Sequence, residues 1–299
     1  MPHPTSRSRR LGSVLGLVVG DALGASNEFK EPGSFVPITD MVGGGPFDLP
    51  AGAWTDDSSM ALCLAESLVE RREFDVQDQM ERYLRWREEG YLSSTGRCFD
   101  IGLTTYQALM RFKRSGNPLA GPTDPESAGN GSVMRLAPVV AWAAHDVELA
   151  LGLARESSRT THRAEESVDG CELLGRLLLG AYRGEDVTVA MQGAPGTTWS
   201  PALREVAAMD GAGGSAPPRP PTGYVVDTLA CARWCVARSR SFREAVLLAA
   251  NLGGDSDTIA AVAGQVAGAI YGVEAIPAQW MDRLALRERV LELAEAVVG

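Results

Sequence analysis

The chain has little with which to bind zinc, cross-link itself or grip a polyanion. Three histidines (His3, His145, His162) and five cysteines in 299 residues show no HExxH or CxxC spacing, so a zinc site lacks ligands and any metal here should be oxygen-bound. Cys63, Cys98, Cys171, Cys231 and Cys235 are odd in number, in a chain too large to depend on disulfides. They read as reduced thiols of a cytoplasmic protein. Twenty-eight basic residues stand against 38 acidic ones, a formal charge of −10. With no long Lys/Arg cluster, stable nucleic-acid binding is not expected, although a single nucleotide-sized ligand is compatible with this charge. No segment reaches the roughly 20 apolar residues that a membrane span requires. Alternating β patterns are nearly absent; "VTVAM" at 187–191 is the best short candidate and too isolated to make a sheet.

What remains is helical periodicity. Leu11, Leu15, Val18, Val19 and Ala22 share one face of a first helix, and Met60, Leu64 and Leu68 with Ala61 and Ala65 share another. Further helices are expected near 76–89, 102–115, 131–144, 146–157, 164–183, 201–209, 224–239, 241–251, 257–272 and 279–297. The expected class is all-α. A prior of about one domain per 150 residues would allow two, yet no boundary is visible, and one domain over 1–299 is expected. "RSRRLGSVLGLVVGDALGAS" has the basic start and apolar run of a secretion signal. Its breaks at Gly12, Gly16 and Gly20, with Asp21 directly after, suit a buried, closely packed helix better. Gly264 and Gly268 in "TIAAVAGQVAGAIYG" mark a second close-packed helix, expected to be central and buried. Two Pro/Gly-rich stretches, 30–54 and 192–223, read as long loops, the first bordering the functional site and the second partly flexible.

Chemistry concentrates at two helix starts. Thr55, Asp56 and Asp57 stand immediately before one apolar run, and Asp255, Asp257 and Thr258 begin another. Helix N-termini favour such residues as caps, but a cap uses one oxygen. Four aspartates brought together would repel unless cations neutralised them. Hard carboxylate and hydroxyl oxygens suit Mg²⁺, Mn²⁺ or Ca²⁺. Four carboxylates balance two divalent ions, which in two-metal sites lie roughly 3.5–4 Å apart. On this ground alone, hydrolysis of a phosphoester and of a glycoside both stay open.

"GNGSVMR" at 129–135 puts Asn130, Gly131 and Ser132 at an expected helix start, either as a phosphate cradle or as a plain glycine turn with a serine cap. Asp100 precedes another expected helix. His162 stands in "TTH", where a lone histidine is more often structural than catalytic.

Taken in order, "GLVVGDALGASNEF", "WTDDSSMAL", "CFDIGLTT", "GNGSVMR", "TH", "GYVVDTL" and "NLGGDSDTIAAVAGQVAGAIYG" resemble the ADP-ribosylglycohydrolase family over roughly residues 10–272. The resemblance implies an all-α orthogonal bundle with two Mg²⁺ or Mn²⁺ ions in a central cleft. It implies Thr55, Asp56, Asp57, Asp255, Asp257 and Thr258 as metal ligands, with Ser256 between them a turn residue. Glu28 would face the substrate ribose or a metal-bound water, and Asp100 the ribose near the scissile bond. The GNGS turn would take the diphosphate, His162 the ribose region and Tyr224 the adenine, with Met134 of the same motif among the substrate contacts. Ser58 stands where the family often has Thr, outside the implied ligand set.

The expected activity is metal-dependent release of ADP-ribose from a modified protein, foremost from arginine, with Asp56, Glu28 or Asp100 as acid/base group. Serine or nucleic-acid conjugates are the alternatives within the class. A non-catalytic ADP-ribose binder on the same scaffold and a phosphohydrolase are the alternatives outside it.

Overall fold

The computed structural model describes residues 4–185, 198–209 and 214–299. Thirteen α-helices and two short 3₁₀ turns account for the regular structure of these residues. The only β pairings among them are isolated bridges, Gly44 with Leu49 and Gly129 with Tyr224. The expected all-α class is what the chain adopts, whereas "VTVAM" lies outside the described residues. No described helix is long and apolar enough to cross a membrane.

Two helices form the axis: α1 (Ser6–Gly24) and α11 (Ser256–Tyr271). They run antiparallel at backbone contact. A Cβ built on Gly12 would fall 2.4 Å from the Gly268 carbonyl oxygen, on Gly16 2.2 Å from that of Gly264, on Gly20 2.1 Å from that of Ala260, and on Gly24 2.3 Å from that of Ser256. The four-residue spacing of small residues on both helices therefore fixes one register. That register sets the end of α1 against the beginning of α11, and Ser256 locks the join by donating its hydroxyl to the Gly24 carbonyl at 2.9 Å. The expected turn residue is thus a clamp. The segment that imitates a secretion signal is one of the two largely buried helices of the fold's axis.

Around this pair lie α2 (Asp56–Arg71), α3 (Val76–Glu89), α4 (Leu103–Ser115), α5 (Ala137–Trp142), α6 (Val147–Thr161), α7 (Glu165–Arg183), α8 (Pro201–Ala208), α9 (Val225–Ala237), α10 (Phe242–Ala250), α12 (Ala278–Arg283) and α13 (Arg287–Val298). One continuous apolar cluster joins most of them, running from Leu11 in α1 to Val298 in α13.

Two expected helices are corrected. The helix expected over 131–144 begins only at Ala137, because the Asn130 carbonyl accepts from both Val133 and Met134 and closes a turn there instead. GNGS is therefore a turn ahead of a helix and not a helix start, and Ser132 is not its cap. The helix expected over 279–297 is broken after Arg283. Gly52 packs against the Arg283 carbonyl, its own carbonyl accepts from Ala285 at 3.0 Å, and Leu286 turns left-handed with φ 44°.

Candidate active site

Both acidic helix starts arrive at the same place, and neither caps itself. The N-cap residues Thr55 of α2 and Asp255 of α11 make no side-chain capping bond. For α2 the cap comes from another helix. One oxygen of Asp21, on α1, accepts from the Thr55 backbone N–H and hydroxyl, both at 2.9 Å, and its other oxygen accepts from the Ser58 N–H at 2.9 Å and hydroxyl at 2.6 Å. A carboxylate at the positive end of the helix satisfies the free donors there. Asp56 and Asp57 are thereby released from capping. For α11, the Asp255 N–H is held by the Pro221 carbonyl at 3.0 Å, and the left-handed Gly253 and Gly254 lead the chain in.

The released oxygens gather tightly. Thr55 Oγ1 lies 3.2 Å from Asp257 Oδ2 and 3.5 Å from Asp57 Oδ2, while Thr258 Oγ1 lies 3.3 Å from Asp57 Oδ2. Carboxylate oxygens of Asp56, Asp57 and Asp257 fall within 4.8 Å of one another, and so do those of Glu28, Asp100 and Asp257. The two groups share Asp257. Asn130 donates its side-chain amide to Asp255, which ties the GNGS turn to the same cluster.

With Asp21, seven carboxylates now stand together, and among the described residues none is ion-paired. Asp57 Oδ1, Asp257 Oδ1 and Glu28 Oε2 are buried without any hydrogen-bond partner. Unpaired acceptors in so acidic a place match a site built for positive charge. Burial, then mutual repulsion, drives Asp56, Asp57 and Asp257 well above the usual carboxylate range. Burial and then the charge of Asp257 push Glu28 to about 12. Asp100 rises to about 7, chiefly by burial and then by Asp21 and Asp255, with a hydrogen bond from Glu28 opposing the rise. Asp100 also has a left-handed backbone, φ 57°, a conformation rare outside glycine and concentrated at working sites.

A cleft of about 260 Å³ opens onto this cluster. Of the expected site residues, Glu28, Asp56, Asp100, Asn130, Gly131, Met134, His162, Asp255, Asp257 and Thr258 line it. Thr55 and Asp57 lie buried behind them. His162 sits under the GNGS turn, so close that a Cβ on Gly131 would fall 2.6 Å from its ring. Burial first, then the charge of Arg135, lowers its pKa to about 3, so it is a neutral ring held by Thr161 at 2.9 Å.

Ser132 and Tyr224 are not among the lining side chains. The Ser132 hydroxyl is buried against Ser158 at 2.9 Å. Tyr224, bridged to Gly129, gives its hydroxyl to Glu166 at the outer edge. The 30–54 loop places none of its residues on the cleft wall and reaches only the rim, through Phe47 against Phe29. In the second expected loop, Gly223 lines the cleft and Pro221 holds Asp255.

Sequence reasoning missed two participants. Asp21 was the one acidic residue of α1, set directly after its apolar run, which was its signal. Arg135, fully buried, donates to the Gly131 carbonyl at 2.7 Å and to Thr161 Oγ1 at 2.7 Å, bracing the turn and the histidine together.

A family model described as ADP-ribosylglycohydrolase matches residues 2–299. The chain is similar to the ADP-ribosylarginine hydrolase Tri1 of Pseudomonas putida, with 42% identity covering 96% of this chain and 77% of that protein. It is also similar to the ADP-ribosyl-dinitrogen reductase glycohydrolase of Rhodospirillum rubrum, with 32% identity over 96% and 94% of the two chains. A solved chain from an ADP-ribosylglycohydrolase-related protein complex superposes with a TM-score of 0.86 at 47% identity, covering 98% of each. An acidic cleft assembled at the join of two glycine-packed helices, together with these matches along nearly the whole chain, places the protein in the ADP-ribosylglycohydrolase family of glycosyl-bond hydrolases.

Proposed function

We propose that the protein removes ADP-ribose from arginine side chains of modified proteins, breaking the bond between the anomeric carbon and a guanidino nitrogen. The observation that carries this reading is the pair of three-carboxylate groups sharing Asp257. The arginine linkage is supported by the likeness to an ADP-ribosylarginine hydrolase.

The donor set fits two divalent cations, Mg²⁺ or Mn²⁺: hard oxygens only, an excess of negative charge, and three orphaned buried carboxylate oxygens. Thr55, Asp56, Asp57, Asp255, Asp257 and Thr258 would hold them. When bound, the ions supply charge that keeps these carboxylates ionised, and they polarise oxygen ligands.

The chain's own residues do the rest. Asp21 and Asn130 orient the cluster by hydrogen bonds. The N–H groups of Gly131 and Ser132 meet no acceptor among the described residues, and they are the proposed cradle for the diphosphate. Neutral His162 forms the floor under that turn, facing the ribose, with Met134 beside it and Tyr224 outermost, where the adenine would lie. Hydrolysis needs one proton taken from water and one given to the leaving nitrogen. Glu28 and Asp100, whose carboxylate oxygens come within 4.8 Å of one another on the cleft wall, are the proposed carriers, with Asp56 on the same wall.

Incubation with arginine-ADP-ribosylated protein and Mg²⁺ or Mn²⁺ should release intact ADP-ribose, measured by chromatography, and chelation should stop it. Turnover of only serine-linked or nucleic-acid conjugates would move the acceptor assignment. Tight calorimetric binding of ADP-ribose without any turnover would replace it with a binding role.

A further inference from the structure

The mouth of the cleft carries apolar side chains that the core does not use. Phe29 is 64% exposed and Leu103 71% exposed, and both line the cleft alongside Glu28 and Asp100. Phe29 takes a left-handed backbone, φ 59°, which a bulky residue rarely adopts. It is nonetheless held firmly. Its N–H donates to the Gly254 carbonyl at 2.7 Å, and the Gly254 N–H donates to the Lys30 carbonyl at 2.8 Å, fastening this turn to the approach of α11.

The ring also has company. Phe47 meets Phe29 edge-on at 6.5 Å and Phe99 at 5.1 Å between centroids. Phe29 follows Glu28 in sequence and Phe99 precedes Asp100, so the two carboxylates on the wall are flanked by the two outer rings of a three-ring rim. Strain, exposure and restraint together point to a ligand that uses an aromatic face next to carboxyl oxygens.

We infer that this rim is the acceptor subsite, where the face of Phe29 receives the planar guanidinium of the modified arginine while Glu28 and Asp100 meet its N–H edge. The inference rests on the arginine reading above. A guanidinium stacks on aromatic rings and presents its donors in its own plane, so a ring beside two carboxylates matches both of its chemistries. A serine hydroxyl offers neither, and the same rim would give it no advantage. Phe47 and Phe99 then border the path of the arginine's methylene stem.

The test compares Phe29→Leu and Phe29→Trp with the wild-type enzyme on an ADP-ribosylated guanidine compound and on a serine-ADP-ribosylated peptide, with ADP-ribose affinity measured by calorimetry. Leucine keeps the apolar bulk and removes the π face. A cation–π contact of ordinary strength predicts about a threefold to thirtyfold fall in kcat/KM for the guanidine conjugate, mostly in KM. Phe29→Trp should restore it, and ADP-ribose affinity should stay within about twofold in all three proteins. Wild-type kcat/KM on the guanidine conjugate in Phe29→Leu overturns the subsite, as does an equal loss of ADP-ribose affinity. Absence of any release from the guanidine conjugate by the wild-type enzyme overturns the arginine reading itself, and the subsite falls with it.

Discussion

Substituting Gly20 by alanine tests whether the register of α1 on α11 builds the site. The new Cβ would sit 2.1 Å from the Ala260 carbonyl oxygen, 1.3 Å short of the 3.4 Å at which ordinary contact begins. Backbone on both sides leaves nothing flexible to yield, so the helices must part by about 1 Å. Overpacking of this kind costs roughly 1–3 kcal/mol or more, against about 1 kcal/mol gained by replacing glycine inside a helix. A net loss of about 1–2 kcal/mol lowers the melting temperature by roughly 2–8 °C in a chain of this size. The functional loss should be larger. Gly20 adjoins Asp21, and a 1 Å misplacement of reacting groups costs about a hundredfold in rate. Gly12→Ala is the control: its Cβ meets the Gly268 carbonyl oxygen at 2.4 Å, an equivalent clash, but nine residues or about 14 Å of helix from Asp21. It should melt early too, and lose no more than about threefold in kcat/KM. Calorimetric melting with steady-state assays of both variants decides the matter. Unchanged stability in Gly20→Ala, or equal loss of activity in both, would refute the reasoning.

Two further outcomes follow from the charges. Folding raises the pKa values of the clustered carboxylates, so the unfolded chain releases these protons first. In a chelator, stability should therefore fall as pH rises above about 4 and on through Asp100's value near 7. Asp257→Asn should melt higher than wild type in chelator at pH 8, yet lose both turnover and the rise in melting temperature on adding Mn²⁺; a lower melting temperature in chelator would count against repulsion. His162 is held neutral down to about pH 3, so its ring signals in nitrogen-correlated NMR should not titrate between pH 5 and 8. Its share of stability should decline as pH drops below about 6.5, where only the unfolded histidine takes a proton.

Most of the helices were legible because an apolar period of 3.6 residues reports burial directly. The glycines of α1 and α11 gave away that each helix is closely packed, because a missing side chain every fourth residue lets another backbone approach; that the two are each other's partner is visible only in the structure. Illegible features depended on distant partners. Nothing in residues 279–297 signals a break, because the break is made by Gly52 arriving from another loop. The glycines at 129 and 131 allow a turn, but nothing nearby signals that the helix waits until Ala137, since what holds Gly131 is Arg135, itself fixed by Thr160 and Thr161.

The acidic clusters show how far such a local reading goes. Judged within their own helices, Thr55, Asp56 and Asp57 offered capping as a reading for one oxygen, and so did Asp255 and Asp257. The explanation fails because α2 takes its cap from Asp21 and α11 makes none from its own side chains. A carboxylate that caps has its lone pairs committed to N–H donors, and one spared that duty keeps them for a cation or substrate. Borrowing the cap of α2 from α1 therefore turns a structural residue type into a chemical one. Asp21, which holds the N-terminus of α2 through four hydrogen bonds, is the residue on which that conversion rests. Its own burial inside the cluster raises its pKa, and the four donors aimed at it are what counter that rise and favour its charged form.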